Sequence, residues 1–320
     1  MEVRGKNLPL NELIKLYKNQ NYSLRKLSKK YNISRPTLKD ILIKNSIQLR
    51  SNHDAIKLSN QKHKRNSFSN DNIERAYLAG FVEGDITAFR KSKYTIRLIT
   101  NSTHDDFLHN FSKAFGNYGY VRISPRKNKT FENYMWCVSA DLDNSFSFLL
   151  PENRKLEIPE LINSNKYIFL GFLAGYFDAE GSILIKKIRE NIQYCLRLST
   201  QNLDLLKLIC YNLKHMGVKS IIYKNFSKGN SRLANKIKIT YNNDYFALEI
   251  FRKSDVKYLL EILPLTHPEK VSKKKLVLRF ISENFTKWNQ VQPSFFQLKD
   301  EIKAKTNASI GRAKTMYEKL

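Results

Sequence analysis

The 320-residue sequence predicts an α+β protein of two repeated halves, each reading α-β-β-α-β-β-α, preceded by a small all-α segment. Three observations carry this prediction. The segment Tyr77-Leu78-Ala79-Gly80-Phe81-Val82-Glu83-Gly84-Asp85 recurs 95 residues later as Phe172-Leu173-Ala174-Gly175-Tyr176-Phe177-Asp178-Ala179-Glu180, an interval the size of a small domain. Each copy is followed by the same succession of strand-like and helix-like runs. Alternation in Leu196-Arg197-Leu198-Ser199 and Lys236-Ile237-Lys238-Ile239-Thr240 gives strands with one apolar and one basic face.

Taken in order, residues 1–50 read as three short helices. Leu10, Leu13, Ile14 and Leu16 form the first stripe. Ser23 caps a second helix carrying Leu24, Leu27 and Tyr31; Asn32-Ile33-Ser34 makes a tight turn. Ser34 then caps a third helix through Leu38, Ile41 and Leu42, with Pro36 in its first turn, where a missing N–H costs little. The polar start of that helix (Arg35, Thr37, Lys39) suits a helix-turn-helix whose second helix enters a DNA major groove. The segment resembles the helix-turn-helix of invertases and resolvases. The alternative is a small bundle with a solvated basic face. Residues 51–72, rich in Asn, Ser, Lys and His, read as a basic linker.

The first repeat occupies 73–160, with strands at 86–91 and 94–101, a helix at 103–115, and strands near 118–125 and 134–141. The second occupies 161–289, with strands at 182–190 and 192–200, a helix at 203–216, and strands near 219–225 and 233–241. Residues 290–320 form a separate helical tail. Phe295, Phe296, Leu298 and Ile302 suit one helix, and Asn307-Ala308-Ser309 reads as a turn before a second. The tail is either a closing helical hairpin or a second, minimal helix-turn-helix.

Fifty-six Lys and Arg against 29 Asp and Glu leave a net charge of +27, which repels itself in a compact state unless a polyanion sits on the protein. Nucleic acid is the first such partner and an anionic membrane surface the second. Hydrophobic residues make up 42%, enough to bury a core. No stretch approaches 18 consecutive apolar residues, and the first 30 lack the apolar core of a secretory signal. Cys137, Cys195 and Cys210 form no CxxC pair and read as small buried apolar residues in a reducing compartment. The six histidines show no zinc-hydrolase spacing, and no glycine-rich phosphate loop is present.

The repeated segment carries the chemistry. Gly80 and Gly84, like Gly175 and Ala179, stand four apart, which on a helix makes a groove where another backbone approaches closely. Two such helices pack on each other about a pseudo-twofold axis. In parallel, they bring Asp85 and Glu180 together at one end. Helix C-termini carry partial negative charge and two acids repel, so the pair calls for a cation. Hard oxygen ligands beside a phosphodiester favour Mg²⁺, which supports in-line phosphodiester hydrolysis. The alternative is a buried helix pair whose acids cap neighbouring groups. Two copies at domain spacing in a strongly basic chain favour metal-dependent chemistry.

LAGFVEGD and LAGYFDAEG resemble the two signature helices of monomeric LAGLIDADG homing endonucleases. The resemblance covers about 73–285. It implies two αββαββα repeats with saddle-shaped antiparallel sheets on a DNA major groove. It also implies a monomer cutting both strands of a long, nearly asymmetric double-stranded site. Two or three divalent ions, Mg²⁺ in the first instance, would be shared by Asp85, Glu180 and DNA phosphates. Gln201 matches a polar residue near the reacting water, Asn101 holds its place in the first repeat, and Lys270 matches a basic residue that polarises the scissile phosphate or its solvent. Arg154 or Lys155 is a loose counterpart of Lys270. One departure stands out: Ile86 follows Asp85 where the family has Gly. A positive-φ exit is closed to a β-branched residue, so the first helix must end differently. Uneven metal occupancy or nicking are the consequences this departure implies.

Arg90, Lys93, Arg97, Arg189, Arg197, Lys236 and Lys238 are the sheet residues expected to touch bases or phosphates. Lys186, Lys187, Lys224 and Lys228, near hairpins, are expected on phosphates. A one-residue slip in register inverts every sheet assignment. The expected function is site-specific double-strand DNA cleavage by a metal-dependent phosphodiester hydrolase of a mobile element, intron-encoded or free-standing. It would work inside the cell, in the cytoplasm or nucleoid of a prokaryote or phage-infected cell, or in an organelle, away from membranes. The rival readings are an RNA maturase acting on its host intron and a DNA-binding regulator with weakened catalysis, the latter argued from Ile86.

Overall fold

The computed structural model describes every residue except 1, 4–5, 21, 52–53, 56–62, 129–132 and 235–236. The chain forms two compact units, Met1–Arg65 and Asn66–Leu320.

In the first unit, helices Leu10–Lys18, Leu24–Tyr31 and Arg35–Lys44 enclose Leu13, Leu27, Leu38 and Leu42. The Ser23 hydroxyl accepts from the Lys26 N–H at 3.2 Å and Ser34 accepts from Thr37 N–H at 3.3 Å, each satisfying an otherwise unpaired helix donor. Between them Asn32 adopts φ 50°, a left-handed conformation that Asn tolerates better than most residues. Arg35 and Lys39 are exposed, whereas the Thr37 hydroxyl lies 2.7 Å from Ser34 Oγ and is engaged in the cap.

The second unit is built around two central helices, Asn72–Glu83 and Lys166–Glu180. Each is followed by a four-stranded antiparallel sheet. In spatial order the first sheet runs Thr87–Ser92, Thr95–Ser102, Tyr134–Leu142, Tyr120–Lys127. The second runs Ser182–Ile188, Asn191–Thr200, Tyr245–Ile250, Ile221–Phe226. Helices Asp105–Phe115 and Leu203–His215 pack on one face of their respective sheets. The other face of each is left without a covering helix among the described residues.

Two expected boundaries move. The fourth strand of the second sheet is Tyr245–Ile250, not a strand near 233–241: Phe246, Leu248 and Ile250 are the residues that enter the core. The alternating run instead forms a separate hairpin, Ser231–Ala234 with Ile237–Thr240. Alternation marks a strand without saying which strand it pairs with. The expected linker ends early, because Phe68 is buried against Phe146 and Phe148 and its N–H donates to Ser145 Oγ at 2.8 Å.

The tail is neither a hairpin nor a second helix-turn-helix. Trp288–Tyr317 is one 30-residue helix, about 45 Å long at 1.5 Å per residue. It begins in the second half, where Val291 is buried, and ends on the first, where Ala313 is buried. Ser309, expected in a turn, is fully buried; it accepts from Trp136 Nε1 at 3.0 Å and donates to Asp105 Oδ1 at 2.6 Å. A polar residue at a helix contact carries the same local signature as one in a turn. Among the described residues no helix is long and apolar enough to cross a membrane. The three cysteines are free; Cys195 is buried, while Cys137 and Cys210 are only partly so.

The central helices touch backbone to backbone. A Cβ on Gly80 would overlap the Phe172 carbonyl and lie 2.8 Å from Tyr176 N. A Cβ on Gly175 would overlap the Tyr77 carbonyl and lie 2.9 Å from Phe81 N. Residues 172 and 176 are the repeat counterparts of 77 and 81, so the contact is pseudo-twofold. A Cβ on Gly84 would overlap Ala179 Cβ, and contacts advance together along both chains, so the helices are parallel. Gly311, by contrast, faces open space in the long helix. Gly80→Ala and Gly175→Ala should therefore each lower unfolding free energy by about 2 kcal/mol or more. Gly311→Ala should raise it by up to about 1 kcal/mol, and chemical denaturation compares the three.

Candidate active site

The parallel helices deliver one acid from each half to the same place. The first helix ends at Glu83, and Gly84 (φ −71°, ψ −110°) turns the chain so that Asp85 follows two residues later. The Asp85 carbonyl accepts from Thr100 Oγ1 at 2.6 Å, which pins the turn to the second strand. The second helix runs through Glu180 itself, and the Gly181 N–H closes it on Phe177 O at 2.8 Å. A Cβ on Gly84 would lie 3.1 Å from Glu180 Cγ, so Glu180 sits against the turn that carries Asp85. Burial, and then the Asp85 charge, push the Glu180 carboxyl up to about 8, while the Lys270 charge works the other way.

The expected reason for a glycine after the second acid does not hold. Gly181 sits at φ −71°, where any residue is allowed. A side chain there is excluded because its Cβ would lie against the Phe177 ring, 2.5 Å from Cδ2 and 2.6 Å from Cδ1. In the first half the chain has already left the helix at Gly84. Ile86 is free to point inward, where it is 4% exposed in the core of that half.

Lys270 lies in the first turn of helix Pro268–Ser282. Its ammonium donates to the carbonyls of Phe177 (2.6 Å), Asp178 (2.7 Å) and Ala179 (3.1 Å). All three of its protons are thus spent on the end of the second central helix, where a cation offsets the helix dipole. Burial draws its pKa down to about 8 against the pull of the nearby acids. Arg154 is placed differently: it bonds the Glu83 carboxylate at 2.6 Å and the Leu149 carbonyl at 2.7 Å. Lys155 is exposed.

Sequence reasoning missed Asp178, the repeat counterpart of Glu83. It is fully buried, and its Oδ2 accepts from Tyr77 OH at 2.9 Å and from Thr266 N–H at 2.8 Å. The Thr266 hydroxyl donates to Asn110 Oδ1 at 2.6 Å, and Asn110 Nδ2 donates to Tyr77 OH at 3.2 Å. This ring joins both halves two residues before Glu180. Burial first, then the Asp178 charge, push the Tyr77 phenol far above its ordinary range. The neighbouring His267 is drawn down to about 3 by burial and stays neutral. The signal for Asp178 was its place inside an otherwise apolar stretch of the repeated segment.

Residues 169–264, which span the second signature helix and its sheet, match a family model described as a LAGLIDADG-like domain. They form a LAGLIDADG-like domain. Two uncharacterized proteins of Methanocaldococcus jannaschii are similar to the chain. MJ0314 is 26% identical over 201 residues, 58% of this chain and 69% of that protein. MJ0398 is 27% identical over 271 residues, 80% of this chain and 90% of that protein. Among solved structures, the homing endonuclease I-WcaI bound to its DNA recognition sequence is 17% identical, covering 72% of this chain and 96% of that one at a TM-score of 0.49. Mesophilic variants of the homing endonuclease I-DmoI are 16% identical, covering 63% and 98% at a TM-score of 0.40.

In the LAGLIDADG-like half and its partner, Asn101 and Gln201 hold equivalent places. Arg97 faces Asp141 and Arg197 faces Glu249 across the ladders, and each amide residue lies four positions further on. Both are exposed. Gln201 is tied to Tyr245 OH at 2.8 Å and to Asn243 at 2.9 Å.

Register decides which basic residues reach the face not covered by helices. Arg97, Lys186 and Arg197 do, because their neighbours Leu98, Ile185 and Leu198 are the buried ones. Arg90 does not: it pairs with buried Ile96 and bonds Asn144 Oδ1 at 2.6 Å. Lys187 and Lys224 are likewise on the core side, opposite Ile192 and Phe246. Lys93 lies at the turn of its hairpin, Arg189 at a left-handed turn residue (φ 56°) and Lys228 beside Asp244. Lys238 is exposed on the separate hairpin, and Lys236 lies outside the described residues. Three further basic residues, which alternation does not mark, reach the open face: Lys91 bonds Asp141 there, and Arg122 and Arg126 are exposed and pair with Ser139 and Met135. Asp141 on that face is held down to about 2: burial opposes this, but hydrogen bonds from Arg97 and Lys91 outweigh it.

Asp85 and Glu180 suit a hard divalent cation. No cluster of three or more His, Cys, Asp or Glu occurs among the described residues, so this is no all-protein cage. Two carboxylates, with water and phosphate completing the shell, are what an ion of the Mg²⁺ type accepts. The raised Glu180 pKa, from burial and the Asp85 charge, marks the charge that such an ion would relieve. Free Glu ionises near 4.5 and folded Glu180 near 8, so between these values the unfolded chain binds fewer protons than the native one. Stability in chelator should therefore fall as pH rises from about 5 to 8. Glu180→Gln should flatten that slope in the thermal midpoint.

Proposed function

We propose that this protein is a site-specific double-strand DNA endonuclease that depends on a divalent cation. The observation that carries this reading is the meeting of Asp85 and Glu180, one from each repeat, at the C-terminal ends of two glycine-packed parallel helices. The +27 charge and the open, partly basic sheet faces support a nucleic-acid partner. The solved structures similar in fold include homing endonucleases in complex with DNA and Ca or Mn.

In this reading Asp85 and Glu180 are the residues that would hold the cation. The cation, when bound, supplies Lewis-acid polarisation of the phosphodiester. Glu180 would have to give up its proton to hold the cation, so metal affinity should rise with pH up to about 8. Lys270 fixes the three carbonyls before Glu180 and keeps positive charge behind the acids. Asn101 and Gln201, exposed at the ends of their strands, would be the polar groups offered to the reacting phosphate. Arg35 and Lys39 on the third N-terminal helix extend the contact to a major groove. The case for a weakened regulator rested on Ile86, and a buried Ile86 beside an intact carboxylate pair gives it no support.

A plasmid library incubated with the protein and Mg²⁺ tests the reading. Both strands should be cut at one recurring sequence. Cutting should drop by about a hundred- to a thousandfold in Asp85→Asn and Glu180→Gln, as expected when a transition-state electrostatic group is removed. Absence of cutting with Mg²⁺ or Mn²⁺ across the library would sink it.

A further inference from the structure

The open face of each sheet carries the same three-residue cluster. In the first, Asp141 receives Arg97 Nε at 2.7 Å, Arg97 Nη2 at 2.8 Å and Lys91 Nζ at 2.8 Å. In the second, Glu249 receives Arg197 Nε at 2.6 Å and Lys186 Nζ at 3.1 Å, and Arg197 Nη2 closes on the same carboxylate. Lys91 and Lys186 stand one repeat interval apart, and each arginine lies directly across the ladder from its acid. The cluster is therefore a repeated feature of the two halves.

An acid on a DNA-facing surface weakens attraction to phosphate, and this chain has few acids to spare. What the carboxylate supplies is orientation. Gripping Arg97 along its Nε–Nη2 edge leaves Nη1 and the second Nη2 proton as a fork at the tip. That fork matches the two acceptors, O6 and N7, on the major-groove edge of guanine, and adenine offers a donor in place of one of them. In the second cluster Arg197 Nη2 lies on Glu249 and also donates to Tyr223 OH at 3.2 Å, so the pair of donors presented there is Nη1 together with the Tyr223 hydroxyl proton. The lysine balances the charge the acid introduces.

We propose that the Lys91–Asp141–Arg97 and Lys186–Glu249–Arg197 clusters are base readers, each selecting one guanine in the major groove, one on either side of the target's centre. This rests on the proposed DNA endonuclease reading and names its sequence determinants. Because the halves are related by the pseudo-twofold axis of the central helices, the two guanines lie on opposite strands.

The test is a binding selection with the full-length protein on random-sequence DNA duplexes in calcium without magnesium, read by sequencing. The wild-type protein should enrich sequences with one guanine on each side of centre, on opposite strands. Arg97→Lys, which keeps the charge and removes the fork, should cut the preference at one of them about tenfold. Arg197→Lys should do the same at the other. Asp141→Asn should weaken the same guanine as Arg97→Lys, with the thermal midpoint checking that the fold is kept. Enrichment in which the lysine variants weaken all sequences alike, or change nothing, overturns the proposal and leaves the endonuclease reading standing. No enrichment by the wild-type protein overturns both.

Discussion

Two helices in this protein lie so close that the carbonyl oxygens of Tyr77 and Phe172 occupy the space where Gly175 and Gly80 would carry side chains. Such an approach is available only to residues without a Cβ, and the second half reproduces the contacts of the first about a pseudo-twofold axis. The carboxylate pair follows from it. Asp85 and Glu180 come from points 95 residues apart, and only a parallel, backbone-close seam brings their charges close enough to act on each other. The sheets, which start just beyond each acid, inherit the same symmetry.

The seam concentrates negative charge, and the surroundings show how that charge is carried. Two helix C-termini, two terminal acids and the buried Asp178 converge in one region. Lys270 answers with an ammonium spread over three carbonyls, and Tyr77, Thr266 and Asn110 supply neutral donors to Asp178 or to one another. The halves solve the same problem differently. Asp178 takes hydroxyl and amide donors contributed by both halves, whereas its counterpart Glu83 takes the guanidinium of Arg154. Duplication preserved the seam and let the support around each acid diverge.

The N-terminal unit stands on local rules. Its serine caps, its left-handed Asn32 and its small leucine core are each written in short stretches of sequence and occur where those stretches place them. The long C-terminal helix is the opposite case. Its buried Ser309 is satisfied by Trp136 and Asp105, some two hundred residues earlier in the chain. No neighbouring residue in the sequence announces either partner.

By itself, the sequence determined the duplication, the glycine seam, the two acids and most strands and helices, because these depend on spacing along the chain and on side-chain volume. Tertiary structure decided the rest. Which strand completes the second sheet depended on whether Lys236–Thr240 or Tyr245–Ile250 could seat apolar residues against the core. Which basic residues face outward depended on ladder register, since one step exchanges the two faces of a strand. Arg90 and Lys91 are adjacent in sequence, yet they bond partners on opposite sides of the sheet, Asn144 and Asp141. Lys270 and Asp178 acquired their partners from segments distant in sequence, through burial that no local pattern encodes.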